Sequence, residues 1–350
     1  MAAKRTRTDH DSMGILEVPL KALYSASTQR AVQNFPISGT AVSWEIILAF
    51  AQLKRAAAEA NHELGKLDAK RCKLIVKACA NIITRLTDID TRCDMMQHFP
   101  VDIFQTGSGT STNVNVNEVI SNMVSVSLNK KLGSFDPVHP NDHVNMGQSS
   151  NDTFPTAVQV AAATHIKKSM VPDVKKLASA LHRKAKQFDS IVKIGRTHLQ
   201  DATPIRLGQE FSGFAAQMDF AVERSEKAIH ALASNLPIGG TAVGTGINTH
   251  PRFAAIVAKR LSRSTGVKFH EADNHFEAQA SRDCIVEAHG NLRTIAISLS
   301  KIASDIRFMG SGPRCGIHEI ELPAIQPGSS IMPGKVNPVL VESSMQVAMK

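Results

Sequence analysis

Gly328-Ser329-Ser330-Ile331-Met332-Pro333-Gly334-Lys335-Val336-Asn337-Pro338 places two hydroxyls, one ammonium and one carboxamide in a single short stretch. Two glycines and two prolines forbid helix or strand throughout, so the stretch is a loop. Its groups suit an anion. Lys335 supplies charge, Asn337 an amide donor, and the glycines leave backbone N–H groups open to approach. Gly328 and Gly334, flanked by Pro327 and Pro338, look like hinges of a short mobile segment. A polar surface turn is the plainer reading of a Gly/Pro loop.

Four further stretches carry polar chemistry. Thr106-Gly107-Ser108-Gly109-Thr110-Ser111-Thr112-Asn113 lacks the Gly-Lys-Ser/Thr ending of a phosphate-binding loop. Its hydroxyls either cap the following helix or bind an anion there, and chemistry alone favours capping. His139-Pro140-Asn141-Asp142-His143 spaces two histidines four apart, but Pro140 interrupts any helix and no HExxH frame exists, so no metal is expected. Gly147-Gln148-Ser149-Ser150-Asn151-Asp152 is a hydroxyl and amide cluster ahead of a helix expected to begin near Pro155. In Gly195-Arg196-Thr197-His198-Leu199-Gln200-Asp201-Ala202-Thr203-Pro204 a lone histidine sits between helices, a place where histidines are usually structural. The glycine-rich connector Gly239–Gly246 has no βαβ frame before it and is no dinucleotide loop.

Long helices must position these loops. Apolar spacing predicts helices over Ser43–Leu64, with Gly65 as the stop, and over Ala69–Leu86; Val114–Leu128 has helix-like content. Residues 1–40 read as irregular. Three long segments follow: Thr156–Asp189, Ile205–Ser234 and Glu277–Phe308. Thirty helical residues span about 45 Å, which suits a bundle, often one between subunits. Pro172 is the expected kink in the first. The chain is therefore mainly α, divided as 1–147 and 148–350.

Composition sets the outer bounds. The 350 residues carry a net charge of +9 with 5% aromatics, and no basic run exceeds a pair. That argues against nucleic acid and for a solvated surface that attracts small anions. Five cysteines, an odd number with no CxxC pair, suit reduced thiols in a cytoplasmic protein. The N-terminus has no apolar stretch of signal type, and no apolar run is long enough to cross a membrane.

The loop at 328–338 closely resembles the signature loop of the fumarase/aspartase superfamily. The stretches at 106–113, 147–152 and 195–204 resemble its other site regions, in the same order. Asp11-Ser12-Met13-Gly14, Thr28-Gln29-Arg30 and Asn34-Phe35 resemble its N-terminal segment, with Ser25 where the family usually has Gly. The resemblance runs from Asp11 to Glu342. It is closest to the iron-independent (class II) fumarase branch. His198 stands where aspartases carry Gln, and the Thr106–Thr110 loop, Asp201-Ala202-Thr203-Pro204 and Met332-Pro333-Gly334-Lys335 are of the fumarase type.

The resemblance implies a long-helix bundle behind a mixed, mostly helical N-terminal lyase domain. Against the family pattern, the end of the bundle and a small C-terminal domain are expected to be missing from this chain, so the bundle is truncated at its C-terminal end. It implies reversible hydration of fumarate to malate, as in the tricarboxylic acid cycle, by a homotetramer whose active sites draw on several subunits, with no cofactor. That reaction removes a weakly acidic carbon proton and expels hydroxide through an aci-carboxylate, which needs preorganised cations and N–H donors. By resemblance Ser329 is the base, its oxyanion stabilised by loop amides and Lys335. His198 is the acid, a role that suits histidine as a residue type, and Glu342 orients it. Ser108, Gly109, Thr110, Ser149, Ser150, Asn151, Thr197, Ser330, Lys335, Val336 and Asn337 bind substrate. His139, Pro140, Asn141 and Asp142 form a secondary dicarboxylate site. Two alternatives stand beside this reading: an aspartate ammonia-lyase of the same superfamily, and a non-catalytic, truncated oligomeric paralogue.

Overall fold

Twelve α-helices and two small hairpins make up the described residues, 5–350, of a computed structural model. In chain order they are β1 (Thr6–Asp11), β2 (Gly14–Pro19), α1 (Ala26–Asn34), α2 (Trp44–Glu63), α3 (Ala69–Thr87), α4 (Ile89–Met96), α5 (Thr110–Ser127), α6 (Ser150–His165), α7 (Val171–Gln187), β3 (Val192–Thr197), β4 (Gln200–Arg206), α8 (Leu207–Ala233), α9 (Phe253–Thr265), α10 (His275–Ala280), α11 (Asp283–Met309) and α12 (Val339–Met349). Pro140–Val144 and Ile166–Met170 are single π-helical turns. The chain is mainly α, as its apolar spacing predicts. No helix among the described residues is long and apolar enough to cross a membrane. All five cysteines are free.

Contacts divide the chain into two compact units. The first runs to His165 and resumes over Ile229–Ile285. Its centre is α2, whose Ile47, Phe50, Leu53, Ala57 and Ala60 are fully buried. Around it pack α3, α6 and α9. Helix α5 is largely buried although eight of its twelve buried residues are polar. Three of them, Asn115, Glu118 and Asn122, hold backbone of other segments. Glu118 accepts the N–H groups of Ser25 (2.8 Å), Ser27 (3.2 Å) and Thr28 (3.3 Å) and the Thr28 hydroxyl (2.5 Å). It thus closes the N-terminus of α1, which has no cap of its own. Asn122 Nδ2 donates to Leu23 O at 2.7 Å.

The second unit comprises Ile166–Ala228 and Val286–Lys350. Val174, Ala178 and Leu181 of α7, Phe211, Phe214, Ala215 and Met218 of α8, and Ile295, Ile302 and Met309 of α11 share one core. Their spacing of three, four and seven is that of helices packed side by side. In β3–β4, Val192 pairs with Arg206, Ile194 with Pro204 and Thr197 with Gln200.

The structure departs from the sequence expectations in four places. The region before residue 40 holds the β1–β2 hairpin, paired from Thr6↔Pro19 to Asp11↔Gly14. The helix expected from Pro155 begins at Ser150, with Pro155 inside it. The long helix expected over Thr156–Asp189 is interrupted at Ile166–Met170, where the π turn widens the backbone just before Pro172, a residue without an N–H to donate. The helix expected over Glu277–Phe308 is split at Ser281–Arg282 into α10 and α11, because Ser281 turns extended and its hydroxyl accepts the Asp283 N–H at 3.2 Å.

Because three N–H groups converge on one buried carboxylate, Glu118→Ala should cost about 3 kcal/mol of unfolding free energy. Glu118→Gln, which keeps one acceptor oxygen, should cost distinctly less. Urea denaturation of both variants checks this, and an unchanged midpoint for Glu118→Ala would remove the anchoring role.

Candidate active site

Helices α5 and α6 both begin at hydroxyl-rich loops, and in the first unit these two beginnings meet. Ser108 Oγ lies 2.8 Å from Thr110 Oγ1, which lies 2.7 Å from Ser150 Oγ. Three hydroxyls from residues forty positions apart thus form one chain at two helix N-termini, where partial positive charge and open N–H groups favour an anion. Capping, the reading chemistry alone favours for the first loop, is performed by a different residue. Gln105 Oε1 accepts the N–H and hydroxyl of Thr112 at 3.0 and 2.9 Å. Ser108 and Thr110 are left exposed, with hydroxyls to offer. Gly109 enters α5 at φ +69°, and a Cβ there would lie 2.2 Å from the Phe154 ring, so conformation and space both require glycine.

The second loop is built differently. Ser149 Oγ accepts the Asn151 N–H at 3.2 Å, and Asp152 Oδ1 accepts the Ser149 N–H at 2.9 Å. This reciprocal capping box starts α6. It commits Ser149 to a cap and leaves Ser150 with the hydroxyl chain. Asn151 Nδ2 donates to Ala242 O at 2.8 Å. The second Asp152 oxygen accepts Gly239 N–H at 3.1 Å and Thr241 N–H at 3.0 Å. The glycine-rich connector is thereby fastened to the Ser149–Asn151 loop. A cavity of about 580 Å³ opens beside them, lined by Ser108, Asn151, Phe154, Val243, Phe276 and Arg282 among others.

Two buried charges support this loop. Asp152 is wholly buried, and burial pushes its carboxyl up to about 6 against the pull of three N–H donors. Lys54 is wholly buried in α2, and burial pulls its ammonium down to about 7. Lys54 Nζ donates to Asn145 Oδ1 at 2.8 Å and Gln148 Oε1 at 3.0 Å, holding the side chains that lead into the loop. Sequence reasoning missed both. The signals were present: Ser149-x-x-Asp152 is a capping box, and Lys54 follows Phe50 by four on the apolar stripe of α2.

His139, Pro140, Asn141 and Asp142 occupy the π turn. His139 Nδ1 stands 3.2 Å from Asp142 Oδ2, and His143 Nδ1 accepts the His139 N–H at 2.8 Å. Asn141 and Asp142 are exposed, while Pro140 is buried. This turn is a group apart from the hydroxyl chain.

The second unit carries the remaining candidates. Thr197 ends β3, and His198 and Leu199 form the two-residue turn to β4 at φ +53° and +62°. Positive φ at both positions is the hairpin turn that matches strand twist, and non-glycine residues adopt it at a cost in strain. The tip is exposed. In the signature loop, Ser329 Oγ accepts the N–H groups of Ile331 (3.2 Å) and Met332 (3.1 Å). Gly328 N–H donates to Lys335 O at 2.8 Å and Asn337 Nδ2 donates to Gly328 O at 2.8 Å, so the loop closes on itself. A Cβ on Gly328 would lie 2.7 Å from Asn337 N, and Gly334 turns at φ +80°. Ser330, Lys335 and Val336 are exposed. Glu342 lies in the first turn of α12, half-exposed. No group of three or more His, Cys, Asp or Glu among the described residues is arranged to hold a metal ion.

A family model described as Lyase matches residues 14–350. A class II fumarate hydratase of Corynebacterium efficiens is 52% identical over 349 residues, covering 99% of this chain and 70% of that protein. The mitochondrial fumarate hydratase of Saccharomyces cerevisiae is 49% identical over 346 residues, covering 98% and 69%. Among solved structures, a class II fumarase of Schistosoma mansoni superposes with a TM-score of 0.93 at 38% identity, covering 99% of this chain and 74% of that one.

Asp152→Asn replaces a three-fold acceptor by a group whose amide must face N–H donors. It should lower the unfolding free energy by about 2 kcal/mol, read from a urea melt. A melt superimposable on that of the unaltered protein would show that the carboxylate holds nothing.

Proposed function

This chain belongs to the lyase family of the class II fumarate hydratases, and we propose that it catalyses the reversible hydration of fumarate to (S)-malate. The observation that carries the chemical reading is the pair of backbone N–H groups on Ser329 Oγ. A serine hydroxyl is too weakly acidic to act as a base unless its oxyanion is stabilised, and two aimed N–H donors favour the charged form. A turn that merely satisfies a serine is the plainer account of the same geometry. Loop composition favours the first: Lys335 and Asn337 lie in the same closed loop, where an aci-carboxylate needs them.

In the dehydration direction the Ser329 oxyanion takes the proton from C3 of malate. The electron pair moves into the adjacent carboxylate, whose extra charge Lys335 and Asn337 stabilise. His198, oriented by Glu342, supplies the proton with which the C2 hydroxyl leaves as water. Hydration reverses each step with anti geometry. Ser108, Gly109, Thr110, Ser150, Asn151, Thr197, Ser330 and Val336 surround the dicarboxylate, and Ser149 contributes through its cap. His139, Pro140, Asn141 and Asp142 hold a second dicarboxylate away from the reacting one. The functional division falls at 147/148, with the lyase domain before it and the long-helix bundle after it.

The active unit is a cytoplasmic homotetramer with shared sites. Phe220, Val286 and Ile297 are 53%, 68% and 64% exposed, and α12 buries no residue. Long helices with such faces need partners. His198 in place of the glutamine of aspartases favours hydration over ammonia elimination.

Purified protein should produce fumarate absorbance from malate and none from aspartate. Ser329→Ala should bind a dicarboxylate inhibitor with near-native affinity but turn over at least about 10²-fold more slowly, the size typical of a lost acid–base group. Ser330→Ala should be milder. Equal, modest losses of melting temperature with native rates would support the structural turn. A dead Ser330→Ala beside an active Ser329→Ala would reverse the assignment.

A further inference from the structure

Four charged side chains in the second unit form a neutral network that the reaction as described does not use. Glu319 lies in the segment between α11 and the signature loop, with its N–H bonded to Met309 O at 2.9 Å. Its Oε1 accepts Arg196 Nη1 at 2.6 Å and its Oε2 accepts Arg196 Nη2 at 2.8 Å, a two-point pairing. Oε2 also accepts Lys193 Nζ at 2.6 Å, which reaches Glu210 Oε2 on α8 at 2.6 Å as well. Lys193 is 9% exposed, and Glu319 and Arg196 are 15% exposed. The Arg196 guanidinium lies 5.7 Å from the Phe308 ring centre. The guanidinium beside Glu319 holds its carboxyl below the usual range.

Lys193 and Arg196 are three apart on one strand and would face opposite ways in a regular ladder. The β3–β4 register shifts between Ile194 and Arg196, where Gly195 faces both Ala202 and Thr203. The extra residue is on β4, where such a bulge adds local twist to the pair, and both cations of β3 reach the one carboxylate. Gly195 is required there, since a Cβ would lie 2.7 Å from Thr203 O. Beyond Arg196 only Thr197, the turn His198-Leu199 and Gln200 remain, all exposed. The direction of the tip therefore follows from the orientation of Arg196.

Partly buried ion pairs are a poor source of stability, because desolvation offsets much of the attraction. A bidentate arginine pair supplies geometry instead, fixing an angle as well as a distance. We propose that Glu319 is a positioning residue. Through its two-point pairing with Arg196 it aims the hairpin tip that carries Thr197 and His198. This rests on the reading of His198 as the proton donor. A tip that wanders by about 1 Å costs rate out of proportion to binding.

The test is a double-mutant cycle on the full chain with Glu319→Gln, His198→Asn and the pair, measuring kcat, KM, inhibitor affinity and melting temperature. Glu319→Gln should lower kcat about 10-fold or more with KM and inhibitor affinity changed less than about 3-fold. Added to His198→Asn it should lower kcat by less than about 2-fold, because the group it aims is gone. Arg196→Lys keeps the charge and loses the fork. It should show the same kcat loss at an unchanged melting temperature, and it carries the test if Glu319→Gln does not fold. Native kcat in either folded variant overturns the proposal, as does a full additional loss in the His198→Asn background. Near-native kcat in His198→Asn itself would instead sink the proton-donor reading.

Discussion

One buried carboxylate holds the hydroxyl-bearing end of the first unit together. Asp152 accepts the Ser149 N–H on one oxygen and the N–H groups of Gly239 and Thr241 on the other. The first bond fixes where α6 begins; the other two fix the connector whose Ala242 carbonyl receives the Asn151 amide. Burial disfavours its charge, yet without it the N–H groups of Gly239 and Thr241 would be buried and unpaired. Lys54 answers it from α2 as a second buried charge, its ammonium spent on Asn145 and Gln148. The hydroxyls at 108, 110 and 150 can therefore stay free of structural duty.

That division of labour explains the residue types. Helix ends are closed by groups outside the hydroxyl chain: Gln105 for α5, Ser149 with Asp152 for α6, Glu118 for α1. Neutral hydroxyls then stand at two helix N-termini. There they can grip a carboxylate without a fixed positive charge that would hold substrate and intermediate equally well. In the second unit the signature loop supplies the single ammonium and the hydrogen-bonded serine, which are useful where charge develops.

The sequence made much of this legible, for physical reasons. Apolar residues at helical spacing located α2 and α3 to within one or two residues, with Asp68 capping α3 and Leu64-Gly65 ending α2. The chemistry-bearing loops announced themselves by glycine, proline and hydroxyl content. What stayed hidden depends on contacts distant in the chain. The β1–β2 hairpin is hidden because the alternate positions that β1 buries are the charged Arg7 and Asp9, which invert the apolar pattern of a strand. Proline at 155 read as a helix start because the capping box at Ser149–Asp152 went unread. Lys54 and Glu319 look like surface charges until α2 is buried and the loop after α11 meets β3.

Hydrating fumarate in deuterium oxide with the purified chain, and reading the product by proton NMR, tests the central claim most directly. A serine base and a histidine acid on opposite faces of the double bond require anti addition. The account predicts malate with one deuterium at C3, as a single diastereomer whose coupling to the C2 proton marks that geometry. A mixture of both C3 diastereomers, or no malate from a folded protein, would contradict it.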